Sequence, residues 1–358
     1  MFCYNVPMEK AIYRIIDANF NRAREALRVM EEFCRFAMNS KPLNAKIKDL
    51  RHKLSSAISQ LDSAKLIASR DTVEDVGTDI KVDNQLSRTD LFDCFTAAAK
   101  RLPEALRALT ETVQTINPQL AAQIEQLRYS SYTLEKEIVM SGVPARKFER
   151  VRLYVLITES QPEQIISLTK SCCLGGADCI QLRCKGLIQT DRYLLKTATE
   201  FVKICADNNV ISVINDRPDI AILSNADGMH LGQDDIPVAQ AKKLLLSPTI
   251  IGKSTHNIGQ LKEAIAELPA YVGLGPAFDT QTKPMEKTAG LGYLESAIPI
   301  LADTGVGHVA IGGIDLKNIA EVLKIGIKAV AICSAITKAG NPQLACAKFK
   351  EILADKEF

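Results

Sequence analysis

The chain has 358 residues, of which 47% are hydrophobic and 24% charged. That composition excludes a disordered or fibrous chain and suits roughly two globular domains at about 150 residues each. Lys plus Arg is 44 and Asp plus Glu is 42, a net charge of +2, so nothing in the balance points to a nucleic-acid partner. The 10 Cys form no CxxC pair and no tight Cys/His cluster, which argues against a structural zinc site or a disulfide framework and fits a reducing compartment. No apolar run reaches the ~20 residues of a membrane span. The N-terminal stretch lacks the basic-then-apolar order of an export signal. The expectation is a soluble cytoplasmic protein.

Residues 1–138 read as helical. Ile15, Ala18, Ala23, Ala26, Leu27, Met30 and Phe33 recur at helical spacing, and Gly77 is the only glycine in this half. The half also contains a duplication. NRAREALRVMEE at 21–32 aligns with KRLPEALRALTE at 100–111, sharing Arg22/Arg101, Glu25/Glu104, Ala26/Ala105, Leu27/Leu106, Arg28/Arg107 and Glu32/Glu111. Leu50-Arg51 matches Leu127-Arg128 at nearly the same offset. Two long helical hairpins follow, joined by residues 62–93. Residues 139–150 (VMSGVPARKFER) read as a linker.

From residue 151 short apolar runs alternate with helical stretches. Strands are expected at 152–158, 178–183, 210–215, 228–231, 249–254, 271–275, 308–312 and 329–333. Eight such βα units match a C-terminal (β/α)8 TIM barrel over 151–358, an α/β domain preceded by the all-α half. A doubly wound open sheet is the alternative. It is disfavoured by the regular spacing and by the lack of GxGxxG after the first strand.

In such barrels the reacting groups sit at the C-terminal strand ends. After strand 2, Gln181, Arg183 and Lys185 alternate to one side, and the two cations suit a phosphate. After strands 3 and 4, Asn215 is followed by Asp216, and HLGQDD ends in Asp234 and Asp235. Asp216 and Asp235 suggest a Mg²⁺ site, although either would serve as a helix cap and Asp234 competes for the role. Strand 5 offers Ser254 and His256 without a partner that would make the serine a nucleophile. The segment 273–292 is long enough for a lid, carries Thr280, Thr282 and Lys283, and has Gly290 and Gly292 as hinge candidates. Gly312 and Gly313 after strand 7 and Ser334 after strand 8 suit a monophosphate. The site thus offers two anion pockets and no paired general acid and base. That combination points to a transferase with pyrophosphate as leaving group.

The ordered set QLRCK, ND, HLGQDD, KSTH, GLGPAFDTQTK and AIGGI closely resembles the thiamine-phosphate synthase family over about 151–355. The resemblance implies joining of hydroxymethylpyrimidine diphosphate to thiazole phosphate, with release of pyrophosphate and Mg²⁺ as cofactor. It implies that Gln181, Asn215 and Ser254 surround the pyrimidine and diphosphate. Arg183, Lys185 and Lys283 would hold the diphosphate, and Asp216 and Asp235 the metal. Thr280, Thr282, Gly312, Gly313 and Ser334 would hold the thiazole phosphate. The catalytic set implied is Arg183, Lys185, Ser254 and Lys283. Two departures are Cys184, where the family often has Glu, and Ala310, where Gly is usual. Barrels of this kind often dimerise, so a homodimer is an expectation.

Residues 17–32, 68–79 and 127–135 resemble a helical domain fused ahead of some of these synthases, associated with phosphorylating hydroxymethylpyrimidine phosphate. Arg22, Arg28, Arg70, Arg101 and Arg107, with Asp71, Asp75 and Gly77, would then form an anion site. The competing reading makes the Arg–Glu pairs solvated helix faces and the half a dimerisation or scaffold module. For the barrel, a thiazole tautomerase and a silent phosphate-ligand binder are the other readings.

Overall fold

The computed structural model describes residues 8–73, 75–77, 87–184, 190–279 and 288–354. The chain divides into two compact units, Met1–Ile138 and Val139–Phe358.

The first unit is helical. Helix α1 (Met8–Glu32) runs into a π-helical turn (Phe33–Ala37) and then α2 (Lys41–Ile58), with α3 (Ser63–Ala68) following. Helices α4 (Leu91–Val113) and α5 (Pro118–Phe148) form the second hairpin. The duplicated pairs fall on α1 and α4 and, for Arg51 and Arg128, on α2 and α5. Of the shared positions, Ala26, Leu27, Ala105 and Leu106 are buried, while the shared Arg and Glu pairs lie largely exposed, so the repeat preserves a packing contact and a charged face together. The expected phase of α1 is corrected at one point. Ile15 is 45% exposed and Ile16 is buried in its place, with Asp17 and Asn19 turned inward. Residues 139–150, expected as a linker, are instead helical as far as Phe148.

The second unit is a closed barrel in the order β1 to β8, every neighbouring pair parallel. The strands are β1 (Leu153–Ile157), β2 (Cys179–Leu182), β3 (Ile211–Asn215), β4 (Gly228–Leu231), β5 (Ile250–Thr255), β6 (Tyr271–Leu274), β7 (Gly307–Ile311) and β8 (Val330–Ile332). Between them lie α6 (Pro162–Leu174), α7 (Asp191–Asp207), α8 (Pro218–Leu223), α9 (Val238–Ala241), α10 (Ile258–Ala266), α11 (Leu291–Leu301) and α12 (Ile319–Lys324). Helices α13 (Ser334–Thr337) and α14 (Pro342–Ala354) follow β8. No helix among the described residues is long and apolar enough to cross a membrane.

Strand alternation splits the core in two. Val155, Ile157, Ile180 and Leu182 face outward and pack with Phe201 and Phe349 of the helical layer. Tyr154, Leu156, Cys179, Val213, Tyr271 and Val309 face inward. Phe148 closes the interior from below, its ring stacked on Tyr271 with centroids 3.9 Å apart. The lower end is also clamped by carboxylates. Asp178 accepts from the Arg152 and Leu153 amides at 2.9 Å. Asp227 accepts from the amide and hydroxyl of Ser212 at 2.9 Å and pairs with Lys147.

His308, near the start of β7, is pushed down to about 4 by burial and by the Lys328 and Arg152 cations. The unfolded chain binds a proton on this imidazole below its ordinary value of 6.5, while the folded chain resists protonation down to about 4. Stability is therefore lost as pH falls through that window, by up to about 3 kcal/mol. Urea unfolding at pH 7 and pH 4.5 checks this. The stability difference between the two pH values should be smaller in His308→Asn than in the wild-type chain.

Candidate active site

One cavity of about 720 Å³ opens at the C-terminal strand ends, and most of the residues singled out from the sequence line it. Gln181 and Arg183 come from the end of β2, as their alternation requires. Asn215 and Asp216 come from β3, Asp234 and Asp235 from the turn after β4, and Ser254 from β5. Gly312, Gly313 and Ser334 come from the ends of β7 and β8. Lys185, Thr280, Thr282 and Lys283 lie outside the described residues. The lid expectation for 273–292 falls partly there as well. Of its two hinge candidates, Gly290 caps α11 with φ +77° and Gly292 lies inside that helix.

The two aspartates are not helix caps. The cap positions of α8 and α9 are Arg217 and Pro237. Asp216 adopts a left-handed φ of 61°, which Asp tolerates better than most residues, and its amide donates to the His230 carbonyl at 2.9 Å. Asp235 Oδ2 accepts from the Gly232 amide at 2.6 Å, and buried Lys253 ties the Gly232 carbonyl at 2.7 Å. These bonds shape the β4 turn, and both residues line the cavity from neighbouring strands. Arg217, close in sequence, is committed elsewhere, to Asp191 and Asp219. Among the described residues no group of three or more His, Cys, Asp or Glu gathers as a metal cluster.

Gly312 and Gly313 have φ of +103° and +63°. A Cβ on Gly312 would lie 2.4 Å from Pro276 Cβ, and one on Gly313 would lie 2.5 Å from the Asp279 carbonyl. The strand-7 end and the strand-6 loop therefore approach backbone to backbone, with Phe278 N donating to Gly312 O at 3.0 Å. His256 supports the same loop, donating from Nδ1 to the Gly275 carbonyl at 2.6 Å. Cys184 packs against the outer core and its thiol donates to the Glu159 carbonyl at 3.5 Å; burial pushes it up to about 12.

Sequence reasoning missed Tyr154, Tyr271 and the part played by His230, which join Gln181 and Ser254 at the floor of the cavity. Gln181 Nε2 donates to the Tyr154 hydroxyl at 2.8 Å, and Tyr154 meets the Tyr271 hydroxyl at 2.8 Å. His230 joins Tyr271 through Nδ1 at 2.9 Å and Ser254 Oγ through Nε2 at 2.8 Å. Burial pushes both tyrosines well above their ordinary range, so they remain phenols. The available signal was parity: Tyr154 shares the inward phase of Leu156, and His230 that of Gly228.

The model of the thiamine monophosphate synthase family matches residues 153–336, which spans all eight strands and this cavity. The chain belongs to that family. A thiamine-phosphate synthase of Synechocystis sp. is 38% identical over 338 residues, covering 94% of this chain and 95% of its own. One of Rhodopirellula baltica is 36% identical over 96% of this chain and 93% of its own. A solved thiamine phosphate pyrophosphorylase from Pyrococcus furiosus superposes with a TM-score of 0.52 at 28% identity, covering 59% of this chain and 98% of that one. The helical unit matches a second model, the ThiD2 family, over residues 14–137. The Synechocystis and Rhodopirellula relatives match across the helical unit as well as the barrel.

Gly312→Ala tests the close approach between the β7 end and the strand-6 loop. A side chain at positive φ, pressed against Pro276, is expected to cost about 1–3 kcal/mol. Thermal unfolding of the variant should show a lowered midpoint, with the loss larger than for alanine at exposed Gly340, which has open space around it.

Proposed function

We propose that the chain is a thiamine-phosphate synthase. It joins 4-amino-5-hydroxymethyl-2-methylpyrimidine diphosphate to 4-methyl-5-(2-hydroxyethyl)thiazole phosphate and releases pyrophosphate. The observation that carries the reading is one cavity lined by Arg183, Asp216 and Asp235 from β2 to β4 and by Gly312, Gly313 and Ser334 from β7 and β8. Two anion sites in one space suit two phosphorylated substrates.

The mechanism is dissociative. The bond from the pyrimidine methylene to the diphosphate oxygen breaks, and its electron pair leaves with pyrophosphate. The lone pair of the thiazole nitrogen then closes the new carbon–nitrogen bond. This path needs stabilised charge on the leaving group more than a protein base. Arg183 supplies part of that stabilisation as a fork of donors to two oxygens. Lys185 and Lys283 share the task in this proposal. Gln181, Asn215 and Ser254 orient the pyrimidine, and Ser334, the Gly312–Gly313 backbone, Thr280 and Thr282 hold the thiazole phosphate.

Asp216 and Asp235 fit a Mg²⁺ ion, because this hard cation is commonly held by one or two carboxylates with phosphate oxygens and water completing its shell. Bound there, it supplies Lewis-acid neutralisation of diphosphate oxygens. The described cysteines are all free thiols, which supports a cytoplasmic setting.

The helical unit is proposed to phosphorylate hydroxymethylpyrimidine phosphate, the step before. Its support is the ThiD2 match and a cluster at one end of α1. There Arg70 grips buried Asp17 through two bonds of 2.8 Å, and Arg14 reaches the Asp71 carbonyl and Asp75. Arg101 pairs with Glu25. Arg28 and Arg107 pair instead with Glu31 and with Glu111 and Glu125, away from Asp17 and Asp75 along the sequence.

Incubation of the full chain with Mg²⁺, thiazole phosphate and the pyrimidine diphosphate should yield thiamine phosphate; no product would overturn the synthase reading. Asp216→Asn should cut the Mg²⁺-dependent rate by about 100-fold or more. Replacing the diphosphate by the monophosphate should give product only with ATP. Arg70→Ala should abolish that ATP-dependent route and leave the diphosphate route intact.

A further inference from the structure

The polar side chains beneath the cavity form one continuous run, Gln181–Tyr154–Tyr271–His230–Ser254, in which each contact measures 2.8 to 2.9 Å. Tyr271 is its central member. It is fully buried, and it is absent from the lining of the cavity that the other four help to form. Its ring is locked by the stack on Phe148 and by the space that Gly252 leaves, where a Cβ would come 2.1 Å from Tyr271 Cζ. That geometry leaves the hydroxyl little freedom to seek other partners.

Donor counting gives the run a direction. The Gln181 amide nitrogen can only donate, so the Tyr154 oxygen accepts from it. A phenol has a single proton. If Tyr154 passes its proton to Tyr271, Tyr271 passes its own to His230 Nδ1. His230 then carries its proton on Nε2 and donates to Ser254 Oγ. In the reverse direction Tyr154 accepts twice and its own proton is left to the sulfur of buried Cys179, a weak acceptor, so the forward direction keeps the stronger bond.

We infer that Tyr271 is a positioning residue: it holds His230 as the Nε2–H tautomer and thereby leaves the Ser254 hydroxyl as a hydrogen-bond donor to the substrate. The group that Ser254 meets is then one with a free lone pair, an unprotonated ring nitrogen or a phosphate oxygen, and not an N–H or O–H. Only the kinetic part of the test rests on the synthase reading; the tautomer stands apart from it.

The chain has 4 His, so side-chain ¹⁵N–¹H correlation on the full protein, with His230→Gln for assignment, reads the tautomer directly. The wild-type protein should show His230 protonated on Nε2. Tyr271→Phe keeps the ring, its stack and its fit over Gly252, and removes only the hydroxyl; both tautomers should then appear. Its kcat/KM should fall about 3- to 10-fold, the value of one hydrogen bond. The loss should be absent when Tyr271→Phe is added to Ser254→Ala, because the two act through one group. The substrate whose KM rises in both single variants carries the acceptor, which separates the pyrimidine diphosphate from the thiazole phosphate. A wild-type His230 protonated on Nδ1, an unchanged tautomer in Tyr271→Phe, or additive losses in the double variant would each overturn the inference. A protein without synthase activity that still shows the tautomer change would sink the function and leave the positioning role.

Discussion

The hydroxyl contact between Tyr154 and Tyr271 is the point on which the barrel interior and the site above it both depend. Closing eight parallel strands creates an inside that must be filled by alternate residues at close-packed density. Two tyrosines on β1 and β6 fill much of it, with Phe148 against them from below. Such bulk is possible because the neighbouring strand contributes Gly252 at that level. Buried phenols need partners. Their partners are Gln181 and His230, which line the cavity. The packing of the core and the orientation of the site are therefore a single problem with a single solution.

The two ends of the barrel divide the remaining work. At the lower end, Asp178 and Asp227 receive backbone amides and lysines, and His308 is kept neutral by burial and nearby cations. These groups are satisfied within the protein, and they serve stability. At the upper end the polar atoms of Arg183, Asp216, Asp235, Ser254 and Ser334 meet across open space. Positive φ at Asp216, Gly312 and Gly313 turns the backbone there, at a local cost only for Asp216, since glycine adopts this region freely.

The helical unit follows a different logic. Its duplication repeats two buried apolar pairs, Ala26/Ala105 and Leu27/Leu106, together with largely exposed Arg and Glu pairs, and the copies diverge at the buried polar positions of α1. Asp17 and Asn19 of α1 are buried polar residues, whereas the corresponding places on α4 are Thr96 and Ala98. A repeat conserves the apolar contact surface because both hairpins must bury it. The polar end is free to differ between copies, and only one copy carries the Asp17–Arg70 pair.

By itself the sequence determined the barrel and the order of its parts. Parallel strands covered on both faces read as short apolar runs, and the observed strands match the expected ones to within a residue at every end. Strand alternation likewise brought Gln181 and Arg183 to one side, and the loop order brought Asp216, Asp235, Gly312, Gly313 and Ser334 to one rim. Local reading failed where a residue's role depends on a distant partner. The helical course of 139–148 reflects Phe148 packing under the strands, a contact no local spacing encodes. Ile15 is exposed and Ile16 buried in its place because the phase of α1 is set by the helices packed around it. The run from Gln181 to Ser254 links residues as far apart as Tyr154 and Tyr271, separated by 117 positions. Periodicity reports which face a side chain takes; only closure of the barrel decides which side chains meet there, because hydrogen bonds and packing act over ångströms of space and not along the chain.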